Sequence, residues 1–169
     1  MDKAYEILNQ LNIEANDFFI ANHGKLYLEA KLKIINNSIG TLCGRCDGSP
    51  FYCPLDGVIY ISEQILNKLD KNRPIGLHLI LAHELGHHIQ NQNGKDYQMQ
   101  IDMQKGKSRL ASTKELELDA DMIAGQLLSS LLTKKELDCC LEFYKSIKED
   151  ELHGTIEERM ECFSMGAFL

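Results

Sequence analysis

The chain has 169 residues, of which 44% are hydrophobic and 25% are charged. This length and balance exclude a globally disordered chain and predict one folded domain over residues 1–169. Eighteen Lys and Arg residues against 25 Asp and Glu residues give a formal charge of −7, which disfavours nonspecific nucleic-acid binding. The apolar stretches are too short to span a bilayer and the N-terminus resembles no secretory signal. We therefore expect a cytoplasmic protein with no nucleic-acid partner and no membrane segment in this chain.

The first part of the chain combines one helical pattern with two extended ones. Apolar residues at helical spacing predict a helix over residues 3–13, and residues 31–36 are typical of a strand. Residues 39–54 are rich in Gly, Cys and Pro, which predicts a loop or an irregular hairpin. Residues 58–61 are β-branched and aromatic and predict another strand. Ser62 is placed to cap a short helix that follows.

The rest of the chain has helical patterns with clear ends. Pro74 suits the first turn of a helix that runs to about residue 92, where Asn93-Gly94 ends it. Ser112 and Glu115 predict a capping box ahead of a helix through residue 132. Two more capping boxes open helices, at Thr133-x-x-Glu136 and at Thr155-x-x-Glu158. The expected fold class is α+β, mostly helical, with a small β-sheet before the central helices.

One short segment carries the residues for metal chemistry, His83-Glu84-Leu85-Gly86-His87. On a helix His83 and His87 lie one turn apart on one face, so both imidazoles can reach a single Zn²⁺. Glu84 is rotated off that line, where its carboxylate can take a proton from a water and pass it to a leaving amine. The preceding residues 77–82 are apolar and predict a buried helix. Burying these side chains is unfavourable unless a partner such as a metal compensates.

A catalytic zinc site needs a third protein ligand and an open position. Glu117 and Asp121 are spaced four residues apart on the next helix, so they share a face. We expect Glu117 to bind the metal and Asp121 to orient a ligand histidine through its second ring nitrogen, with Asp121 as the alternative ligand. The small residues Ala120, Ala124 and Gly125 would allow this helix to pack closely against the His83 helix.

Other residues have weaker claims to the site. His88 points about 100° away from His87 on the helix, so it is not expected to be a ligand. His153 is a candidate to stabilise the oxyanion of a tetrahedral intermediate, although a turn or cap residue is the simpler interpretation. Tyr144 is a less specific candidate for the same role. Arg159 is expected to pair with an acidic helix that the sequence does not identify.

Several segments together resemble the bacterial putative neutral zinc metallopeptidases. Beside the His83–His87 motif, the similar segments are Pro50-Phe51-Tyr52-Cys53-Pro54, Glu117-Leu118-Asp119-Ala120-Asp121 and His153-Gly154-Thr155. The resemblance implies a zincin-like fold and a zinc-dependent peptidase of the gluzincin type. It implies His83, His87 and Glu117 as zinc ligands and Glu84 as catalytic base. Members of that family often carry an N-terminal membrane anchor, which is not seen in this chain.

The six cysteines allow more than one redox state. With no export signal visible, the first expectation is thiols in a reducing cytosol. Cys43 and Cys46 form a lone CxxC pair without an obvious fourth ligand, which disfavours a zinc knuckle. The family resemblance implies that Cys43 and Cys53 can pair in exported relatives, so their state in this chain stays open.

The predicted function is that of a zinc-dependent endopeptidase acting on a protein or peptide substrate. We expect residues 58–61 to pair with the extended substrate by strand addition. One alternative comes from a second resemblance, to small metalloproteases that regulate mobile elements by cleaving repressors and share the Ala-His-Glu-Leu-Gly-His-His pattern. The other alternative is a non-catalytic zinc-binding interaction module.

Overall fold

The computed structural model describes residues 2–36, 38–72, 74–95, 105–106 and 108–168. The described residues form six helices and five strands, with the strands following one another between the first helix and the other five. In chain order they are α1 (Asp2–His23), β1 (Lys31–Ile35), β2 (Ile39–Thr41), β3 (Gly44–Cys46), β4 (Phe51–Cys53), β5 (Val58–Ser62), α2 (Glu63–Asn72), α3 (Pro74–Gln92), α4 (Arg109–Leu131), α5 (Lys134–Tyr144) and α6 (Ile156–Ala167). The predicted α+β class, mostly helical with a small sheet before the central helices, is confirmed.

The main sheet is mixed and has three strands in the order β1-β5-β4. Strand β5 runs parallel to β1 and antiparallel to β4, so both of its edges are occupied. Its side chains are buried along most of its length, as expected for a central strand. The expectation that residues 58–61 pair with a substrate backbone is therefore wrong, because no free edge is left on β5.

The Gly- and Cys-rich segment forms a short antiparallel hairpin from β2 and β3. A disulfide joins Cys43, in the hairpin turn, to Cys53 at the end of β4. The expectation that all the cysteines are thiols is wrong for this pair. Cys46 stays a buried thiol and packs in a small apolar cluster of its own, with Ile35, Cys53 and Tyr60.

Helices α3, α4 and α6 form the centre of the fold. Helix α3 packs closely on α4 at Gly86, because glycine has no side chain there. A Cβ added at this position would lie 2.9 Å from the backbone oxygen of Ala120. Gly125 was expected to face α3, but an added Cβ would instead meet the backbone of Phe163 on α6. Gly166 of α6 faces the backbone of Met122 in the same way. Glycines therefore set the close approach of all three helices.

Most of the helix ends predicted from capping residues agree with the structure. Pro74 opens α3, and the capping boxes at Thr133 and Thr155 are both present. Helix α4 starts earlier than predicted, since the side chain of Ser108 caps it by accepting from the Ala111 N–H. Helix α1 is also longer than its predicted range. Among the described residues, no helix combines the length and apolar character needed to cross a membrane.

Candidate metal centre

Helices α3 and α4 bring three potential ligand atoms together. His83 Nε2 lies 3.2 Å from His87 Nε2 and 3.1 Å from Glu117 Oε2. The third side of this triangle, from His87 Nε2 to Glu117 Oε2, is 3.4 Å. Four tetrahedral ligands about 2.05 Å from a zinc ion would lie about 3.3 Å from one another. The triangle therefore has the size of one face of a zinc coordination tetrahedron, and these three residues could hold a metal ion.

The charge balance of the triangle also fits a cation. Burial opposes protonation of His83, but the carboxylates of Asp121 and Glu117 outweigh it and raise the pKa of His83 to about 10. Burial likewise opposes ionisation of Glu117, yet its hydrogen bonds to His83 and His87 hold its pKa below the ordinary value. Two imidazole nitrogens and a carboxylate oxygen facing one another need a positive charge among them. A proton supplies it in the metal-free protein, and a bound divalent ion would replace that proton.

Asp121 fixes the orientation of the His83 ring. It is fully buried, and its Oδ1 lies 2.8 Å from His83 Nδ1. The Tyr144 hydroxyl donates to the same oxygen, and the Arg159 guanidinium donates to both carboxylate oxygens, at 2.7 Å and 3.0 Å. Burial raises the pKa of Asp121, but His83 and Arg159 lower it by more. With Nδ1 engaged in this way, His83 turns its Nε2 towards His87 and Glu117.

Three sequence expectations are resolved by this network. The acidic partner of Arg159 is Asp121, on α4. Tyr144 donates to Asp121 and is buried, and it is absent from the residues that line the cleft over the triangle, so the oxyanion role considered for it is wrong. Asp121 does not belong to the group of three possible ligand atoms. It contacts Nδ1 of His83, whereas Nε2 of that ring faces His87 and Glu117.

His87 is oriented by a residue that the sequence reasoning missed. His87 Nδ1 lies 2.9 Å from Gln90 Oε1. The Gln90 amide nitrogen donates to the backbone oxygen of Leu116 and to Asp119 Oδ2, both at 2.7 Å, so it also ties α3 to α4 beside Glu117. Gln90 is almost completely buried, which is unusual for an amide. Its spacing of three residues from His87 was the only signal available in the sequence.

A cleft of 280 Å³ lies over the triangle. Glu84 lines it, and the side chain is mostly buried. Within the described residues the Glu84 carboxylate accepts no hydrogen bond from the protein. The cleft is lined by Pro50, Phe51, Tyr52, Pro54, His83, Glu84, His87, Glu117 and His153. Its lining therefore comes from β4 and its flanks, from α3 and α4, and from His153, which lies near Glu117.

His153 lies in the cleft and is also a turn residue. Its Nε2 is 3.5 Å from Glu117 Oε2, yet it does not join the compact group of three possible ligand atoms. Its Nδ1 lies 2.8 Å from each oxygen of Asp150, and its backbone N–H donates to Asp150 Oδ1. Asp150 therefore holds the ring with Nε2 towards the cleft, a role that the sequence analysis did not assign.

The wall formed by β4 is tied to the metal-site helix. His88 points away from the triangle, as expected, and its Nδ1 lies 3.0 Å from the Tyr52 hydroxyl. Its Nε2 bonds to the backbone oxygen of Leu28. The Asn91 amide donates to the Tyr52 hydroxyl at 3.0 Å and to the Pro54 oxygen at 3.2 Å. The helix that carries His83 and His87 thus also holds the cleft wall.

Comparisons with known proteins identify the class. A sequence model of the family described as "putative neutral zinc metallopeptidase" matches residues 4–153, and the chain belongs to this family. The chain is 29% identical over 171 aligned residues to the uncharacterized protein YpfJ of Escherichia coli K12, covering 85% of this chain and 59% of that protein. It is 25% identical over 137 aligned residues to the uncharacterized protein Rv2575 of Mycobacterium tuberculosis H37Rv, covering 77% of this chain and 46% of that protein. The chain thus spans about half the length of these relatives. No solved structure matches it.

Proposed function

We propose that this protein is a zinc-dependent endopeptidase in which His83, His87 and Glu117 hold the metal and Glu84 is the general base. The observation that carries the proposal is the triangle of ligand atoms with a mostly buried carboxylate beside it in the same cleft. His83-Glu84-x-x-His87 followed by Glu117 is the ligand order of a gluzincin-type zincin. Two imidazoles and one carboxylate favour zinc among the divalent ions.

Each side chain has a separate task in peptide hydrolysis. Zinc, when bound, polarises the scissile carbonyl and lowers the pKa of water at the site. Glu84 takes the proton of the attacking water and returns it to the leaving amine. His153, in its protonated form, donates from Nε2 to the oxyanion of the tetrahedral intermediate, while Asp150 keeps the ring in place. Asp121 and Gln90 keep the two histidine rings in the orientation that presents Nε2.

The peptide substrate lies along the β4 wall of the cleft in this proposal. Strand β4 is an edge strand, since within the described residues it pairs only with β5. Its residues Phe51 and Tyr52 line the cleft together with Pro50 and Pro54. An extended peptide can add to such an edge through its backbone, which brings a peptide bond over the metal triangle. The short length of β4 and the prolines on either side of it protect this edge from nonspecific pairing.

The test uses one variant of the proposed base, one variant of a proposed metal ligand and one control variant. Glu84→Gln is expected to keep one zinc per chain and the thermal midpoint, and to lose peptide cleavage by at least about a hundredfold. Glu117→Ala is expected to lose zinc, measured by elemental analysis of untagged protein. Glu161→Gln, an exposed change on α6 outside the residues that line the cleft, serves as control and should behave as wild type.

Two results would contradict the proposal. Full cleavage by Glu84→Gln would remove that residue from the mechanism. A wild-type protein that binds zinc but cleaves none of a broad set of peptides and unfolded proteins would favour the non-catalytic zinc-binding module instead.

A further inference from the structure

A covalent bond lies directly behind the wall of the proposed substrate cleft. Strand β4 contributes Phe51 and Tyr52 to the cleft, and the next residue, Cys53, is joined to Cys43. Cys53 is fully buried, whereas Cys43 lies exposed in the turn of the β2–β3 hairpin. A reagent in solution can therefore reach the bond from the Cys43 side.

The metal triangle does not depend on this bond. His83, His87 and Glu117 all stand on α3 and α4, which pack on each other through Gly86 and Ala120. The ring of His83 is further held by Asp121, which is itself bonded from α5 and α6. None of these elements contains either cysteine. Opening the bond should leave the zinc ligands in place.

The cleft wall is held to α3 by hydrogen bonds of Tyr52 and Pro54 with His88 and Asn91, but its other supports are small. Strand β4 has only three residues and pairs on one side alone. The hairpin behind it is two-stranded with three residue pairs, and such a hairpin is marginally stable by itself. The hairpin packs on the small apolar cluster around Cys46, and just beyond β3 the Ser62 N–H donates a hydrogen bond to the Gly48 oxygen.

We propose that the Cys43–Cys53 bond is a redox control site of the peptidase, which is active with the bond closed and weakly active with the bond open. The inference rests on the proposed function and adds its regulation. Reduction removes the covalent link between the hairpin and β4, so the strand keeps its bonds to β5 and α3 but offers a less fixed edge to the substrate. The chain then keeps its zinc but binds and aligns peptides poorly. Such a device restricts cleavage to an oxidising compartment.

The chemical step is an ordinary thiol–disulfide exchange with a dithiol as reductant. A thiolate of the dithiol attacks the exposed Cys43 sulfur and forms a mixed disulfide, and Cys53 leaves as a thiolate that takes up a proton. The second thiol of the reductant then attacks the mixed disulfide and releases Cys43. Two electrons pass to the protein, which gains two thiols, and the dithiol becomes a disulfide.

The experiment compares oxidised and reduced zinc-loaded protein. A phosphine, tris(2-carboxyethyl)phosphine, replaces the dithiol because dithiols also bind zinc. Peptide cleavage is followed with an internally quenched peptide, zinc by elemental analysis, and local structure by amide hydrogen exchange. We expect reduction to lower kcat/KM at least about tenfold, chiefly through KM, and reoxidation to restore it. Exchange should accelerate in residues 51–53 while α3 and α4 stay protected.

Two variants complete the comparison, one that removes the bond without a reductant and one that serves as control. Cys43→Ser should resemble the reduced protein and should not respond to the phosphine. Cys139→Ser removes an exposed thiol on α5 and should respond like wild type.

Each remaining outcome overturns some part of the idea. An unchanged kcat/KM in reduced protein or in Cys43→Ser removes the control role. Loss of zinc, or faster exchange throughout the chain, makes the bond a support of the whole fold and also refutes it. If the oxidised wild type cleaves nothing, the proposed function fails separately. The exchange of residues 51–53 then still decides whether reduction frees the wall.

Discussion

Replacing Asp121 by Asn tests the buried ion pair behind the metal triangle. The carboxylate has no exposed surface and receives two hydrogen bonds from Arg159, which is also buried. Asparagine has nearly the same shape but no charge, so the guanidinium would stay buried beside a neutral amide. Breaking a buried ion pair by removing one partner costs about 3–5 kcal/mol. We expect Asp121→Asn to lose about 3 kcal/mol, because the amide oxygen still accepts one hydrogen bond.

The same substitution should weaken metal binding. His83 Nδ1 lies 2.8 Å from Asp121 Oδ1, and a neutral amide orients the ring less strongly. Loss of such an orienting carboxylate lowers metal affinity about 10–100-fold. Urea unfolding of metal-free protein gives the first quantity, and zinc competition with a chromogenic chelator gives the second. Asp138→Asn, an exposed change on α5, is the matched control.

A double-mutant cycle decides whether the ion pair is the cause. If Arg159→Leu is added to Asp121→Asn, the loss of stability should be clearly less than the sum of the two single losses. A stability loss below about 1 kcal/mol for Asp121→Asn, or strictly additive effects, would refute the reasoning from burial and pairing.

Three further outcomes follow from other parts of the structure. Gln90→Leu should weaken zinc binding about tenfold in the same competition assay, because His87 loses its orienting partner. The control Gln64→Leu, at an exposed position, should bind zinc like wild type. Equal zinc affinities of Gln90→Leu and wild type would refute this. Gly166→Ala should lower the urea unfolding free energy by about 3 kcal/mol or more, since the new methyl group meets the Met122 backbone, whereas Gly40→Ala has open space around it and should be near neutral. The Lys114 ammonium and the Thr155 backbone N–H lower the pKa of Glu158 below its ordinary 4.5. This contribution is present above the ordinary pKa and is lost as pH falls through the lowered value, so the urea midpoint of wild type should fall more on acidification than that of Glu158→Gln; parallel pH curves would contradict it.

Features that depend only on residues within one or two helical turns of each other could be predicted from the sequence. The capping boxes at Thr133 and Thr155 depend on side chains three residues apart, and both are present. Likewise, the shared face of His83 and His87 follows from helical spacing alone. Ser112 misled the same reasoning, because the Ser112–Glu115 spacing fits a capping box although the helix runs through Ser112 and Ser108 caps it.

The sequence by itself determined the class of elements, the position of the metal motif on a helix and the candidate partner face at Glu117 and Asp121. These depend on periodicity and on residue types, which are local properties. The tertiary structure decided that β5 is a central strand, that Arg159 pairs with Asp121, and that Cys43 bonds to Cys53. Each of these depends on which distant segments meet when apolar faces pack, and no spacing along the chain encodes that choice.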